Sequence, residues 1–196
     1  MQLFFDWFIK NYQEIIGAAT GVIYVLLSVK QNIWLWPVGI ITSVFQLIVF
    51  YEKRIYADMS LQAYYVVISA YGWYIWKFGK RKNEIKRPVI KMKLYNWLIF
   101  IFVSIIIFFL IRFILIRYTN SDVPNIDAFT TALGVTGTYI LARKYIENWY
   151  VWLLVNIISS GLYIYKGLYL YSALYAFLAI MSEIGFLKWK KDLKKI

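Results

Sequence analysis

The chain has 196 residues, of which 62% are hydrophobic and 21% aromatic, well above the roughly 45–50% apolar content of soluble domains. It contains no cysteine and no histidine, so hydrolase, redox and metalloenzyme functions lack their usual nucleophiles, bases and metal ligands. The formal net charge of +12 does not indicate a nucleic-acid partner, because the basic residues follow apolar runs and cover no single face. From this composition we expect an integral membrane protein that is not an enzyme and has no cofactor or metal.

Seven apolar segments follow a short amphipathic one along the chain. The first fourteen residues alternate aromatic side chains with Asp6, Lys10 and Glu14, which predicts an interfacial amphipathic helix. A membrane-spanning helix needs about 20 residues, and fewer where aromatic or basic residues anchor its ends. The seven predicted transmembrane helices are Ile15–Val29, Ile33–Phe50, Ile55–Trp76, Leu94–Ile116, Ala128–Ala142, Trp149–Tyr165 and Leu168–Leu187.

One passage occurs twice in the chain. The two copies are residues 21–77 and residues 134–190. Their offset is 113 at both ends and is predicted to drift to 116 in the middle, where Trp36 pairs with Trp152 and Ser43 with Ser159. The fourth segment has no counterpart, so it is predicted to be a linker helix that lets both copies begin on the same side of the membrane.

The predicted fold class is therefore all-α and integral to the membrane, with seven transmembrane helices arranged as 3+1+3 parallel repeats. Its predicted parts are an N-terminal amphipathic segment (1–14), the first repeat (15–77), a basic loop with the linker helix and an outer loop (78–127), the second repeat (128–190) and a basic tail (191–196).

The basic residues predict the orientation of these helices. They form two clusters, at 77–93 and 188–195, each directly after an apolar segment. Such clusters mark the cytoplasmic side of a membrane, so the N-terminus is predicted outside and the C-terminus inside. We also expect the clusters to attract the anionic headgroups of the bilayer.

The sixth predicted helix carries a polar-aromatic face. Trp149, Trp152 and Asn156 stand at i, i+3 and i+7, which places two indoles and one carboxamide on one side of a helix. Two indoles and an amide could hold a flat heteroaromatic ring. The alternative for Trp149 is a place in the interfacial aromatic belt.

The second predicted helix carries a smaller polar face. Thr42 and Gln46 are one turn apart, and the repeat predicts that they lie across the bundle from Asn156, with Trp36 as the counterpart of Trp152. Ligand contact is the favoured role of Gln46, and the alternative is a hydrogen bond between helices.

Glu183 is the only acid well inside a predicted span, where an uncompensated carboxylate is costly. It is predicted to meet a cationic substrate, with Tyr175 and Trp73 adding cation-π attraction. The alternative is an ion pair with a lysine of the 188–195 cluster.

Two stretches of the chain resemble a known family. They are RIYADMSLQAYYVVISAYGWYIWK (54–77) and ARKYIENWYVWLLVNIISSGLYIYKGLY (142–169), and they are similar to the PnuC family of bacterial vitamin-precursor transporters over nearly the whole chain. The resemblance implies a full-length SWEET-like bundle in the bacterial inner membrane, with a homotrimer as a further expectation. It also implies that Trp149, Trp152 and Asn156 bind the ring of the substrate, with Gln62 as another polar contact.

The family resemblance also implies a mechanism. Members carry nicotinamide riboside, and related branches carry thiamine or riboflavin, by facilitated diffusion with trapping by a cytoplasmic kinase. Nicotinamide riboside transporters are expected to have an asparagine near the position of Thr42, and this chain departs from that pattern there and at Glu183. Both nicotinamide riboside and thiamine carry a fixed positive charge, so Glu183 does not separate them.

The leading hypothesis is thus a uniporter for nicotinamide riboside, with thiamine as the alternative substrate. A SWEET-like sugar uniporter shares the repeat but makes less use of stacked indoles and a buried acid. A membrane enzyme would lack paired acids at depth, and a purely accessory role does not explain polar faces in both repeats. Phosphate-bearing substrates are not expected, because no basic residue lies deep in the spans of either repeat.

Overall fold

The computed structural model describes residues 2–52, 54, 56–79 and 87–193, and it describes the side chains of these residues apart from 2–15 and 56–58. Seven α-helices make up most of this part of the chain, as the seven apolar segments predict. They are α1 (Gln2–Val29), α2 (Leu35–Glu52), α3 (Tyr56–Phe78), α4 (Leu94–Tyr118), α5 (Pro124–Ala142), α6 (Asn148–Tyr165) and α7 (Tyr169–Lys191).

Helix α1 differs from its prediction. The amphipathic segment 1–14 and the first span were predicted as separate parts, but a single helix of 28 residues runs from Gln2 to Val29, a length of about 42 Å. The chain has no proline before Pro37, so nothing in the backbone forces a break. The predicted boundary at residue 14 is therefore wrong for the helix, whereas the interfacial location of its first turns stays a prediction.

Six of the helices close into a ring in the order α1, α2, α3, α5, α6, α7, and α7 contacts α1 again. Helix α4 lies outside this ring against α5. If α1, α2 and α3 are exchanged for α5, α6 and α7, every neighbour relation in the ring is preserved. The two halves of the ring therefore meet twice, where α1 contacts α7 and where α3 contacts α5.

The surface of the ring and of α4 is apolar over large areas. Among the described residues, α2, α4 and α7 have the length and composition of membrane spans, and Ile16–Val29 is a shorter apolar helical stretch. Most side chains of α4 are exposed, including Phe102, Phe109 and Phe113. Exposed apolar side chains in a helix with all its backbone bonds internal are what a hydrocarbon environment requires.

The turns of the two halves match residue by residue at an offset of 113. The backbone is left-handed at Gln31 (φ 50°) and at Lys144 (φ 58°), just after α1 and α5, which is the usual way for a helix to end. After α2 and α6, Arg54 (φ 58°) and Gly167 (φ 71°) do the same. An insertion in either half would separate these pairs, so the offset is constant.

The predicted drift of the offset to 116 is therefore wrong. The structural counterpart of Trp36 is Trp149, not Trp152, and the counterpart of Ser43 is Asn156, not Ser159. The prediction matched tryptophan with tryptophan and serine with serine, whereas the turns keep their length and the polar residues differ between the halves.

Four tryptophans form a layer at one end of the ring, which we call the tryptophan layer. Trp36 meets Trp76, and Trp149 meets Trp189, with ring centroids 5.5 Å apart and planes at 89° in both pairs. Trp76 and Trp189 join the two pairs at 6.1 Å. All four side chains are buried, so this end of the ring is closed.

Hydrogen bonds across the halves tie the tryptophan layer to the helix ends. The indole of Trp76 donates to the carbonyl of Ala142, and the indole of Trp189 donates to the carbonyl of Ser28, each at 3.1 Å. Each bond runs from a helix of one half to the C-terminal end of the first helix of the other half. The two halves are thus held together at this end by backbone acceptors as well as by packing.

Lys144 lies beside this layer, in a group that we call the Lys144 network. Its side chain is 2% exposed, and its Nζ donates to Oε1 of Gln31 and to the carbonyl of Arg87, both at 3.0 Å. The ammonium lies 4.4 Å from the ring centroid of Trp76, and Gln31 in turn donates to Asp192 at 2.9 Å. The network thus joins the α1–α2 turn, the α5–α6 turn and the end of α7.

Candidate functional site

A cavity of about 500 Å³ lies at the end of the ring opposite the tryptophan layer. It is formed where α1 and α2 of the first half meet α6 and α7 of the second half. The residues that line it are Ile16, Gly17, Ala18, Thr42, Phe45, Gln46, Val49, Phe50, Tyr163, Tyr171, Leu174 and Tyr175. We call it the inter-repeat cavity.

Two polar side chains of α2 line this cavity from one side. Thr42 and Gln46 share a helix face, as their spacing predicts, and the hydroxyl of Thr42 donates to the carbonyl of Val38 at 2.9 Å. The oxygen of that hydroxyl can still accept a hydrogen bond. The carboxamide of Gln46 lies across Gly17 of α1, with its Nε2 3.9 Å from where a Cβ of that glycine would stand.

Three tyrosines of α6 and α7 line the cavity from the other side. Tyr163 stacks on Tyr171 with a centroid distance of 5.4 Å and an interplanar angle of 26°, and it contacts Tyr175 at 5.1 Å. Tyr175 was predicted as a site residue, but Tyr163 and Tyr171 were not. The i, i+4 spacing of Tyr171 and Tyr175 on α7 is the signal that could have indicated a shared aromatic face.

No charged side chain lines the inter-repeat cavity among the described residues. The faces of aromatic rings carry partial negative charge, so a cluster of tyrosines can attract a cation without a carboxylate. Hydroxyl and carboxamide groups supply both donors and acceptors for hydroxyl-bearing ligands. The cavity is therefore suited to a flat ring, neutral or cationic, that carries hydroxyl groups.

The face of α6 predicted from Trp149, Trp152 and Asn156 lies elsewhere. Trp149 is 2% exposed within the tryptophan layer. Asn156 is 5% exposed, and its Nδ2 donates to the hydroxyl of Ser182 on α7 at 3.2 Å. None of the three lines the inter-repeat cavity, since each packs against neighbouring helices.

Trp152 and Gly137 form a large–small pair whose order is reversed in the other half, which we call the exchange of bulk between the halves. Trp152 lies against Gly137 of α5, with its Cε2 3.8 Å from where a Cβ of that glycine would stand. At the equivalent positions of the first half, Gly39 of α2 lies against Tyr24 of α1, with the corresponding distance at 3.1 Å. The large side chain is thus on the first helix in one half and on the second helix in the other.

The remaining predicted site residues also lie outside the inter-repeat cavity. Trp36 is fully buried in the tryptophan layer, and Gln62 is half-buried on α3. Glu183 is exposed, and it lies on the same side of α7 as the exposed side chains of Ile180 and Ile184. The structure therefore brings together Thr42, Gln46 and Tyr175 from the predicted set, and it places Glu183 on the outer surface.

Comparison with known proteins points to one family. The family model described as nicotinamide mononucleotide transporter matches residues 11–191. The nicotinamide riboside transporter PnuC of Escherichia coli (strain K12) is 24% identical over 177 residues, which cover 78% of this chain and 74% of that protein. The riboflavin/roseoflavin transporter RibM of Streptomyces davaonensis is 23% identical over 155 residues, which cover 77% of this chain and 71% of that protein.

A solved structure has the same fold. The crystal structure of the vitamin B3 transporter PnuC superposes with a TM-score of 0.71 at 21% sequence identity, and the match covers 97% of this chain and 85% of that one. The seven-helix architecture is therefore shared with a membrane transporter.

Proposed function

Because the chain belongs to the PnuC family of nicotinamide mononucleotide transporters, as its sequence resemblance predicts, we propose that it carries nicotinamide riboside across the bacterial inner membrane by facilitated diffusion. Membership of the family makes the chain a multi-pass membrane transporter for a small vitamin precursor, and not an enzyme. The observation that supports the choice of substrate is the inter-repeat cavity, which combines tyrosine rings with Thr42 and Gln46 and has no charged side chain among its described lining residues.

The chemistry of this cavity favours a nucleoside over a nucleotide. The pyridinium ring of nicotinamide riboside would stack against the tyrosines, and its ribose hydroxyls would reach Thr42 and Gln46. The phosphate of nicotinamide mononucleotide would find neither lysine nor arginine among the described lining residues, and an unpaired phosphate in such a site is unfavourable. A kinase in the cytoplasm would then trap the substrate, because the phosphorylated product no longer fits.

Thiamine is the second candidate substrate. Its thiazolium ring carries a fixed positive charge as the pyridinium does, so the tyrosine rings support it equally. Riboflavin, the uncharged substrate named for the Streptomyces relative, would gain stacking but no cation-π attraction. A sugar could pack its C–H groups against the tyrosines but would gain no cation-π attraction.

We propose that transport follows alternating access between two parallel repeats in a SWEET-like arrangement. The repeats meet at α1–α7 and at α3–α5, and a rocking motion at these contacts would open one end while closing the other. In the described conformation the cavity is at one end and the tryptophan layer closes the other. The basic clusters support an assignment of the closed end to the cytoplasm.

Two unpaired donors support a second conformation of the tryptophan layer. The indole nitrogens of Trp36 and Trp149 are buried without a hydrogen-bond partner in the described structure. An unsatisfied buried donor costs about 1–3 kcal/mol. If the layer opened and these groups reached water or substrate, the hydrogen bonds gained would offset part of the free-energy cost of separating the tryptophans. On this proposal Trp36 and Trp149, two of the three predicted site tryptophans, act in gating. A homotrimer, as the family resemblance implies, would leave each path within one protomer.

The test of this function is calorimetric titration of the purified chain with nicotinamide riboside, nicotinamide mononucleotide, thiamine and riboflavin. We expect nicotinamide riboside to bind and the mononucleotide to bind at least tenfold more weakly. Equal binding of the two would contradict the role assigned to the neutral cavity. Tight binding of thiamine alone would keep the cavity and change the substrate.

The location of the site is tested by Tyr175→Ala. Loss of one stacking ring is expected to weaken binding of nicotinamide riboside roughly tenfold to a hundredfold, since base–aromatic stacking contributes about 1–3 kcal/mol. Tyr165→Ala is the matched control, because Tyr165 is 78% exposed at the end of α6 and its loss should leave binding unchanged. If Tyr175→Ala folds and binds normally while Asn156→Ala does not bind, the site belongs to the α6 face.

A further inference from the structure

A second cavity of about 380 Å³ lies between α3, α4 and α5, outside the ring interior. We call it the lateral cavity. Its lining is mostly apolar, and along α5 it extends from Val135 to Arg143, a length of about 12 Å. The side chains on α4 include Ile99, Phe100, Val103 and Ile107. The cavity is thus a narrow apolar groove parallel to the helices.

One end of the lateral cavity is polar and basic. Arg143 lines this end and donates from Nη1 to the hydroxyl of Tyr71 at 3.2 Å, while its Nε is buried without a partner in the described structure. Asn96, which donates to the hydroxyl of Tyr145 at 3.2 Å, lines the same end. A guanidinium with a donor still unused is well suited to a phosphate oxygen.

The described charges around this end are mostly basic, with one buried acid, Glu147, whose carboxylate accepts from the backbone N–H of the lining residue Met92 at 3.1 Å. Lys91 and Lys93 are exposed directly before α4, and they lie at the same end of the helices as Arg143. The other end of the cavity, near Ile107 and Val135, has no charged lining residue among those described. A ligand that matches this pattern has an anionic head group and a hydrocarbon chain at least about half as long as one bilayer leaflet is thick.

The groove is open on the side where α4 faces outward. Ile99 and Val103 line the cavity and are also 43% and 38% exposed. Since α4 is the most apolar of the described membrane-length helices, this side faces the acyl chains of the bilayer. The occupant can therefore enter from the membrane without crossing the ring.

We propose that the lateral cavity binds an anionic phospholipid, with one acyl chain between α3, α4 and α5 and the phosphate at Arg143. The site spans the α3–α5 contact, where the two repeats meet. A bound lipid would therefore touch both halves and α4 at once. Nothing in this proposal depends on the identity of the transported substrate.

The test is native mass spectrometry of the detergent-purified full chain, with phosphatidylglycerol and phosphatidylcholine of identical acyl chains. We expect the protein to retain phosphatidylglycerol in preference to phosphatidylcholine. Arg143→Gln should weaken phosphatidylglycerol binding roughly tenfold, the scale of one charge-assisted hydrogen bond. Phosphatidylcholine has the same phosphate, but Lys91 and Lys93 repel its choline cation, so its weaker binding should fall by less and the preference between the two lipids should shrink. Arg112→Gln is the matched control, because it removes the same charge near the other end of α4, where Arg112 bonds Asn125 at 2.7 Å.

A second variant separates the groove from the charge. Val103→Trp fills the cavity from a partly exposed position that tolerates bulk, so it should lower retention of phosphatidylglycerol with no change in net charge. Equal retention of the two lipids by the unmodified chain would overturn the proposal. So would equal losses in Arg143→Gln and Arg112→Gln, which would indicate only general attraction to a basic protein.

Discussion

Replacing Gly72 or Gly185 with alanine should destabilise the protein by roughly 2–3 kcal/mol, the cost of adding one carbon to a filled core. A Cβ at Gly72 would stand 2.5 Å from the six-membered ring of Trp36, and a Cβ at Gly185 would overlap the ring of Trp149. Both indoles are almost fully buried and cannot retreat. The measurement is the midpoint of thermal unfolding in detergent, followed by circular dichroism.

The chain supplies matched controls for this prediction. A Cβ at Gly21 of α1 or at Gly161 of α6 would have no atom within 4 Å. At these two positions alanine should be neutral or stabilising by up to about 1 kcal/mol, because it favours the helix over the unfolded chain. If all four substitutions shift the midpoint alike, then the close packing of glycine on tryptophan does not limit stability.

Replacing Lys144 with methionine should also have a large effect, a loss of roughly 2–3 kcal/mol. Methionine retains most of the apolar stem but leaves Oε1 of Gln31 and the carbonyl of Arg87 without the ammonium donor. Hydrogen bonds from a charged group contribute about 1.5–3 kcal/mol each, and both acceptors are partly exposed, so water can replace part of what the two lost bonds contributed. Denaturant titration in mixed micelles, read by tryptophan fluorescence, measures the change.

Lys166→Met is the control for the removal of a positive charge. Lys166 follows α6 at the opposite end of the ring and is exposed, so its replacement should change the unfolding free energy by less than about 0.5 kcal/mol. Equal destabilisation by the two substitutions would mean that net charge, and not the Lys144 network, determines the effect. The network joins both halves at the closed end, so its loss should also destabilise the conformation described above.

The helices of this protein could be predicted from sequence because bilayer-length apolar runs are long, strong signals. The repeat was recognised as well, since Gly72 and Gly185, and Trp76 and Trp189, are conserved in kind at a constant spacing. The alignment of the two copies in the middle of the repeat could not be predicted correctly, because Trp36 aligns with Trp152 as an identical residue just as well as it aligns with Trp149. The left-handed turns and the equal geometry of the Trp36–Trp76 and Trp149–Trp189 pairs fix the correct offset.

The candidate site could be predicted in part. Thr42 and Gln46 were found because polar residues one turn apart in an apolar helix share a face. The same reasoning defined the face of Trp149 and Asn156, but helical periodicity does not say whether a face meets a cavity, a neighbouring helix or lipid. Glu183 illustrates this limit, since its side chain is exposed on α7 and lines neither of the two cavities described above.

The exchange of bulk between the halves bears on how a ligand is oriented. A ring of perfectly twofold symmetry would accept an unsymmetrical molecule in two equivalent poses, related by the axis. Tyr24 and Gly39 in one half, against Gly137 and Trp152 in the other, break this symmetry in the packing of the first two helices of each half. If the proposed transport path runs between the halves, this asymmetry would make the two poses unequal, and each molecule would then pass through in a single orientation.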